Sequence, residues 1–349
     1  MTPAEPGSAP SPLVGEGWGG GCLFDSAEIA PPSRFARFVR EPTSPTGGEV
    51  TGASCKGEAS AVRAQRTTFA ATFVFAAMLW SPAAHAQRID TEHLFGFMIG
   101  TDVGERGDKE IEGETVARWG KRPGSYFAAA PAFEAEFVPI ENLRASGTVS
   151  AAYHDVSGIA GLDDRRQGAF DSLAFDLRYR LIERRQAAFG FAVDAEPHWG
   201  RVDPISGEPV DRYGADLSLL LDKELVPDRV LAAFNLVYQP EATRSRLTGA
   251  WSHEAMFGPA AGLMVQVGPG VLIGAEARYL RAYQGLALEK FAGQALFFGP
   301  TLYARLSKRL WVIAAFSPQV AGRAASVPGS LDLTNFERHQ AKVQFGLEF

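Results

Sequence analysis

Segments of about ten residues in which every second side chain is apolar recur from residue 93 to the end of the chain, and no stretch after residue 87 keeps a helical period. Leu173, Phe175, Leu177, Tyr179 and Leu181 alternate with Ala174, Asp176, Arg178 and Arg180. Tyr213, Ala215, Leu217, Leu219 and Leu221 alternate with Gly214, Asp216, Ser218, Leu220 and Asp222. Val271, Ile273, Ala275, Ala277 and Tyr279 are set against Gly274, Glu276 and Arg278. The terminal KVQFGLEF sets Val343, Phe345, Leu347 and Phe349 against Lys342, Gln344, Gly346 and Glu348. Successive strand residues point to opposite faces, so one face of each strand must be wet and the other oily.

Weaker segments at 93–104, 126–138, 143–154, 188–199, 230–240, 255–267, 295–306 and 311–321 bring the expected total to about twelve strands. Their links alternate in length. Short ones are expected at Pro139 to Asn142, Glu183 to Gln186, Val226 to Arg229, Gly268 to Gly270 and Ser307 to Arg309. Longer polar ones are expected at 105–125, 157–168, 201–212, 241–250, 284–294 and 322–335. Short turns on one side and long loops on the other are the pattern of a transmembrane β-barrel, with the turns periplasmic. The same alternation fits a soluble periplasmic sandwich or lipocalin-like barrel with its apolar face inward. Strands of about ten residues, against the usual five or six, favour the membrane. So do aromatics at strand ends, such as Tyr126, Phe127, Tyr153, Trp199, Tyr213, Trp251, Tyr279 and Trp311.

The one long uncharged apolar run is FAATFVFAAMLW, Phe69 to Trp80, after Arg63 and Arg66 and before Ser81, Pro82 and Ala84-His85-Ala86. A basic flank, a short apolar stretch and a small-x-small end make a secretory signal peptide over 63–86, cleaved after Ala86 with Ala84 at the matching position. The run is too short to span a bilayer as a helix. Residues 1–62, rich in Gly, Pro and Ser, lack the means to build a core and read as disordered. They are either upstream sequence, with the true start near Val62, or a genuine extension. The barrel proper is then 87–349.

Both cysteines, Cys22 and Cys55, precede that boundary, so the mature chain has neither thiol chemistry nor disulfides. Of the 34 Lys and Arg and 40 Asp and Glu, 6 and 7 lie in residues 1–86, which leaves 28 against 33. So mild a balance gives no basic stripe for nucleic acid.

A terminal aromatic preceded by apolar residues at alternate positions, here Val343, Phe345, Leu347 and Phe349, resembles the assembly signal of Gram-negative outer-membrane β-barrel proteins. The family often has tyrosine where this chain has Leu347. The resemblance implies an all-β fold, an antiparallel transmembrane barrel of about twelve strands in the outer membrane. It also implies contact with outer-membrane lipid and lipopolysaccharide and assembly by the barrel insertion machinery. The closing strand is expected to pair with the first one near Phe95 and Phe97.

Barrel enzymes of this size class include phospholipases and lipid A deacylases, several of which carry a serine two residues after a histidine. His93, His154, His198, His253 and His339 are followed at that spacing by Phe95, Val156, Gly200, Ala255 and Ala341. No catalytic residue, cofactor or metal site is therefore assigned. Asp194, Glu196 and His198 share a strand face and admit a metal, but they read better as wet inner wall. The GERGDKEIEGE stretch, Gly104 to Glu114, lacks EF-hand spacing and reads as a surface loop that binds cations loosely at most. Asp176, Arg178, Arg180, Asp194, Glu196, His198, Asp216, Glu276 and Arg278 are expected to face the lumen. Both signs are present there, so a narrow pore and a lumen closed by ion pairs are both open.

The function expected is a narrow passive pore for small hydrophilic solutes or a structural surface barrel. The alternatives are a lipid-active barrel enzyme and a soluble periplasmic β-domain.

Overall fold

The computed structural model describes residues 91–349 apart from Arg122. Twelve strands follow one another: β1 Lys109–Trp119, β2 Ser125–Ile140, β3 Leu143–Ser157, β4 Arg165–Ile182, β5 Gly190–Val202 and β6 Pro209–Val226. They continue as β7 Val230–Ser245, β8 Trp251–Gly268, β9 Val271–Gln284, β10 Lys290–Arg305, β11 Leu310–Ala324 and β12 His339–Glu348. Each pairs antiparallel with its neighbours in sequence, and β12 pairs with β1 from Glu110 opposite Glu348 to Trp119 opposite His339, closing the barrel. Closure leaves no unpaired edge.

The alternation places the large apolar side chains outside. Phe175, Leu219, Ile273, Phe298, Leu302 and Phe345 are all exposed, while Asp176, Arg178, Asp194 and Glu276 between them are buried. A polar interior under an apolar exterior inverts the pattern of a soluble domain and is that of a transmembrane barrel. The signal-peptide region 63–86, its Ala84 and Ala86, and the stretch 1–62 lie outside the described residues.

Two expectations are corrected. Residues 93–104 are not a strand. The first strand is Lys109–Trp119, inside the stretch expected to be a long loop, so GERGDKEIEGE is for the most part barrel wall. One false strand and one missed strand leave the total at twelve. Closure accordingly runs from β12 to 109–119 and not to Phe95 and Phe97. The reason is that between Ile111 and Trp119 the outer face of β1 carries only Gly113, Thr115 and Ala117, which gives little contrast with its charges.

All but the last of the loops are also shorter than expected. Opposite the termini the links are 120–124, 158–164, 203–208, 246–250, 285–289 and 325–338, of which the last alone is long. At the terminus end they are 141–142, 183–189, 227–229, 269–270 and 306–309, so the link after β4 exceeds its prediction. Strand pairing runs past the apolar band into polar segments such as Arg165–Gln167 and Pro240–Ser245.

Candidate functional site: the lumen and its N-terminal plug

Residues 91–108 enter the barrel at its terminus end and fill that half of the lumen. Without regular secondary structure, their main-chain groups need partners from the wall. Glu276 of β9 accepts the N–H of Gly96 at 2.7 Å and of Phe97 at 2.9 Å. Asp222 of β6 accepts from the Thr101 N–H at 3.0 Å and the Thr91 hydroxyl at 2.8 Å. The Asn235 amide of β7 donates to the Ile99 carbonyl at 2.9 Å. Approach is close enough at Gly96 that a Cβ would stand 2.2 Å from that of Ala315. Leu94, Phe95 and Met98 pack on Leu231, Met264, Leu272, Tyr303, Trp311 and Ile313. These inward-facing residues sit near the turns between β6 and β11 and give this half of the lumen an apolar floor.

Charged contacts fix the segment at both ends. Asp102 meets Arg184 at 2.8 Å and Arg180 at 3.4 Å, and the Asp102 carbonyl lies 3.5 Å from Arg178. Burial pushes the Asp102 carboxyl up, but Arg184 and the Thr91 N–H outweigh it and hold the group below the usual carboxylate range. At the other end Glu92 meets Arg144 at 3.3 Å. The His93 ring stacks on Trp311 with centroids 4.4 Å apart, between Glu110 and Glu112 of β1, each 3.2 Å from one ring nitrogen. Burial opposes its protonation, yet Glu112, Glu110 and Glu92 together raise the imidazole to about 10.

Beside and beyond the plug the lumen wall is charged. Arg178 pairs with Asp194 at 3.1 Å, and Arg144 with Glu134 at 2.9 Å. Glu196 and Asp216 stand opposite each other in strand register. The His198 imidazole lies 3.5 Å from Glu241, which also binds Arg212 at 2.9 Å. Arg278 lies over the Phe97 ring, 4.0 Å from its centroid, and donates to Gln340 at 2.6 Å. Glu134, Glu196, His198, Asp216 and Glu241 point inward yet are only half-buried, which marks a chamber above the plug. At the far mouth the 325–338 loop folds in. Its Phe336 meets Phe297 edge-on at 6.1 Å, and Lys121 donates to the carbonyls of Thr334 and Phe336.

The residues expected at the lumen thus divide between two settings. Asp176, Arg178, Arg180, Asp194, Glu276 and Arg278 lie at or beside the plug, while Glu196, His198 and Asp216 line the chamber. Val343, Phe345, Leu347 and Phe349 are exposed on the outer wall. The histidines make contacts with carboxylates, a carbonyl or rings: His154 with the Pro204 carbonyl, His253 with Trp251, and His339 with Phe316 and Trp119. The plug itself was missed. Its signal was the unalternating run Leu94, Phe95, Phe97, Met98, Ile99, which carries no charge between its apolar residues, unlike the charge-bearing strands β4, β6 and β9.

The sequence matches, over residues 87–349, the model of a family described as one of unknown function. No curated protein matches it. Among solved structures, the COG4313 outer membrane channel from Pseudomonas putida F1 is similar at 13% identity and a TM-score of 0.49, over 71% of this chain and 98% of that one. The β-domain of the Bordetella autotransporter BrkA gives 11% and 0.45, over 70% and 100%. The NanC porin gives 11% and 0.41, over 68% and 98%.

Proposed function

The chain belongs to the family of unknown function DUF6662, and from its own geometry we propose that it is an outer-membrane pore for small hydrophilic solutes, kept shut at rest by residues 91–108. The observation that carries this reading is the chamber of half-buried charged side chains, Glu134, Glu196, His198, Asp216 and Glu241, that ends on a seated plug. Water and polar solutes enter such a chamber. They leave it only if the plug shifts. The apolar outer wall calls for lipid around it, and the terminus end with its short turns faces the periplasm on this reading. Phe349 and the apolar residues before it serve as the signal to the insertion machinery.

The density of ties between plug and wall favours a second reading, a permanently closed structural barrel. Liposome swelling separates the two. The pore reading expects slow entry of small sugars through the wild-type protein and faster entry through Glu276→Gln. A folded barrel that stays impermeable in both forms supports the structural reading. Membrane fractionation with heat-modifiable migration tests the location, and recovery in the soluble fraction would overturn it. Turnover of phospholipid or lipid A by the purified barrel, lost on a single polar substitution, would favour the enzyme.

A further inference from the structure

Five carboxylates converge where the plug meets the first two strands. Glu110 and Glu112 of β1 stand directly across from Glu136 and Glu134 of β2, and Glu92 of the plug reaches the same place. Like charges directly opposite one another destabilise a strand pair, and buried carboxylates require counter-charge. Arg144 serves Glu92, Glu134 and Glu136, at 3.3, 2.9 and 2.8 Å. Among the described residues the ion pairs of Glu110 and Glu112 run to His93.

The geometry around His93 is that of a ligand. Its Nε2 is buried and makes no hydrogen bond, and it has Glu110 Oε2 at 3.2 Å and Glu92 Oε2 at 3.9 Å. Glu136 Oε2, 2.8 Å from Arg144 Nε, and Glu112 Oε1, 3.2 Å from His93 Nδ1, are buried as well. The ligand atoms of Glu92, His93 and Glu136 lie within 4.8 Å of one another, as do those of His93, Glu110 and Glu112. Tetrahedral ligands bound at 2.0–2.1 Å stand about 3.3 Å apart, a spacing that the His93 Nε2–Glu110 pair already has and that the others would reach by closing in on the ion. On the other ring nitrogen, Glu112 sits 3.2 Å from Nδ1. A carboxylate in that place fixes the orientation of a metal-bound imidazole. Glu110 is itself held by the Trp311 indole N–H.

We propose that His93 Nε2, with carboxylate oxygens of Glu110, Glu92 and Glu136, binds a divalent first-row transition metal ion that fastens the plug to the barrel seam. An imidazole among carboxylates selects that class, since calcium and magnesium prefer oxygen ligands alone. The dication would add to the positive charge of Arg144 and of Arg178, which stands 4.0 Å from Glu92. The site does not depend on whether the barrel conducts.

The test is a cobalt titration of the full chain, folded in detergent and stripped with chelator, followed by visible absorption and by displacement with zinc. The expected result is one saturable equivalent with a ligand-field band, displaced by zinc. Affinity should fall by about tenfold or more in His93→Ala and in Glu110→Gln, and stay unchanged in Glu241→Gln, a chamber carboxylate outside the set. Heat-modifiable migration checks the folding of each variant. If His93→Ala does not fold, Glu110→Gln and the wild type decide. No ligand-field band in the wild type, or wild-type affinity in a folded variant of the set, overturns the proposal.

Discussion

Glu276 shows how one side chain holds a segment that has no secondary structure of its own. Its two oxygens accept consecutive plug amides, and the Thr301 hydroxyl donates to one of them. Charge-assisted bonds of this kind are each worth about 1.5–3 kcal/mol. Glu276→Gln should therefore speed amide exchange in the plug by roughly ten- to a hundredfold, read by hydrogen exchange on peptides covering 91–108. Unchanged protection there would refute the anchoring role. Leu94 is 2% exposed within the apolar floor, and Leu94→Ala should weaken plug seating by about 2–5 kcal/mol, with no change in barrel closure, because it leaves a cavity. Greater protease sensitivity of the plug with retained heat-modifiability is the outcome to check. Asp102 makes the seating pH-dependent. Its carboxyl is held below the usual range in the folded protein, so its contribution is complete above the unfolded value of about 3.9 and fades as pH falls through the lower folded value. If the barrel conducts as proposed, opening should thus rise at pH 3 relative to pH 7, and equal opening at both would count against the Asp102–Arg184 tie.

At the scale of elements, the strands β4, β6, β9 and β12 were legible because large apolar side chains outside alternate with charges inside. Strand β1 was not, since Gly113, Thr115 and Ala117 on its outer face resemble loop composition. Apolar residues of the plug imitated a strand because they bury against the inner wall, where apolarity has nothing to do with lipid. Strand ends were underestimated for a related reason. The alternation stops where the apolar band stops, but hydrogen bonding continues into polar residues such as Asp211 and Arg212. Parity assigns a residue to a face of its strand. It does not give the partners, because Arg144 meets Glu92, and Arg184 meets Asp102, only after the chain folds back into the barrel. The terminal strand carries its own prediction. The Phe349 N–H donates to the Lys109 carbonyl at 2.9 Å, joining the last residue to the true first strand. Removing Phe349 should lower the yield of heat-modifiable barrel during assembly in cells, and an unaltered yield would remove it from the assembly signal.

The described residues form two nested structures: a twelve-stranded wall with an apolar outside, and a plug that gives the wall an apolar and ionic centre at one end. The wall answers to lipid. Leu219→Arg, on the outer face near the middle of β6, should cost about 2–4 kcal/mol of barrel stability in a bilayer if that face meets acyl chains. On the proposed pore reading the plug is the part that shifts, and single-channel recording tests this division most directly. Wild-type protein in a planar bilayer should show rare, brief steps, and the Glu276→Gln, Leu94→Ala double variant should show frequent steps of one larger conductance. A steady open current from the wild type, or silence from a folded double variant, would contradict the account.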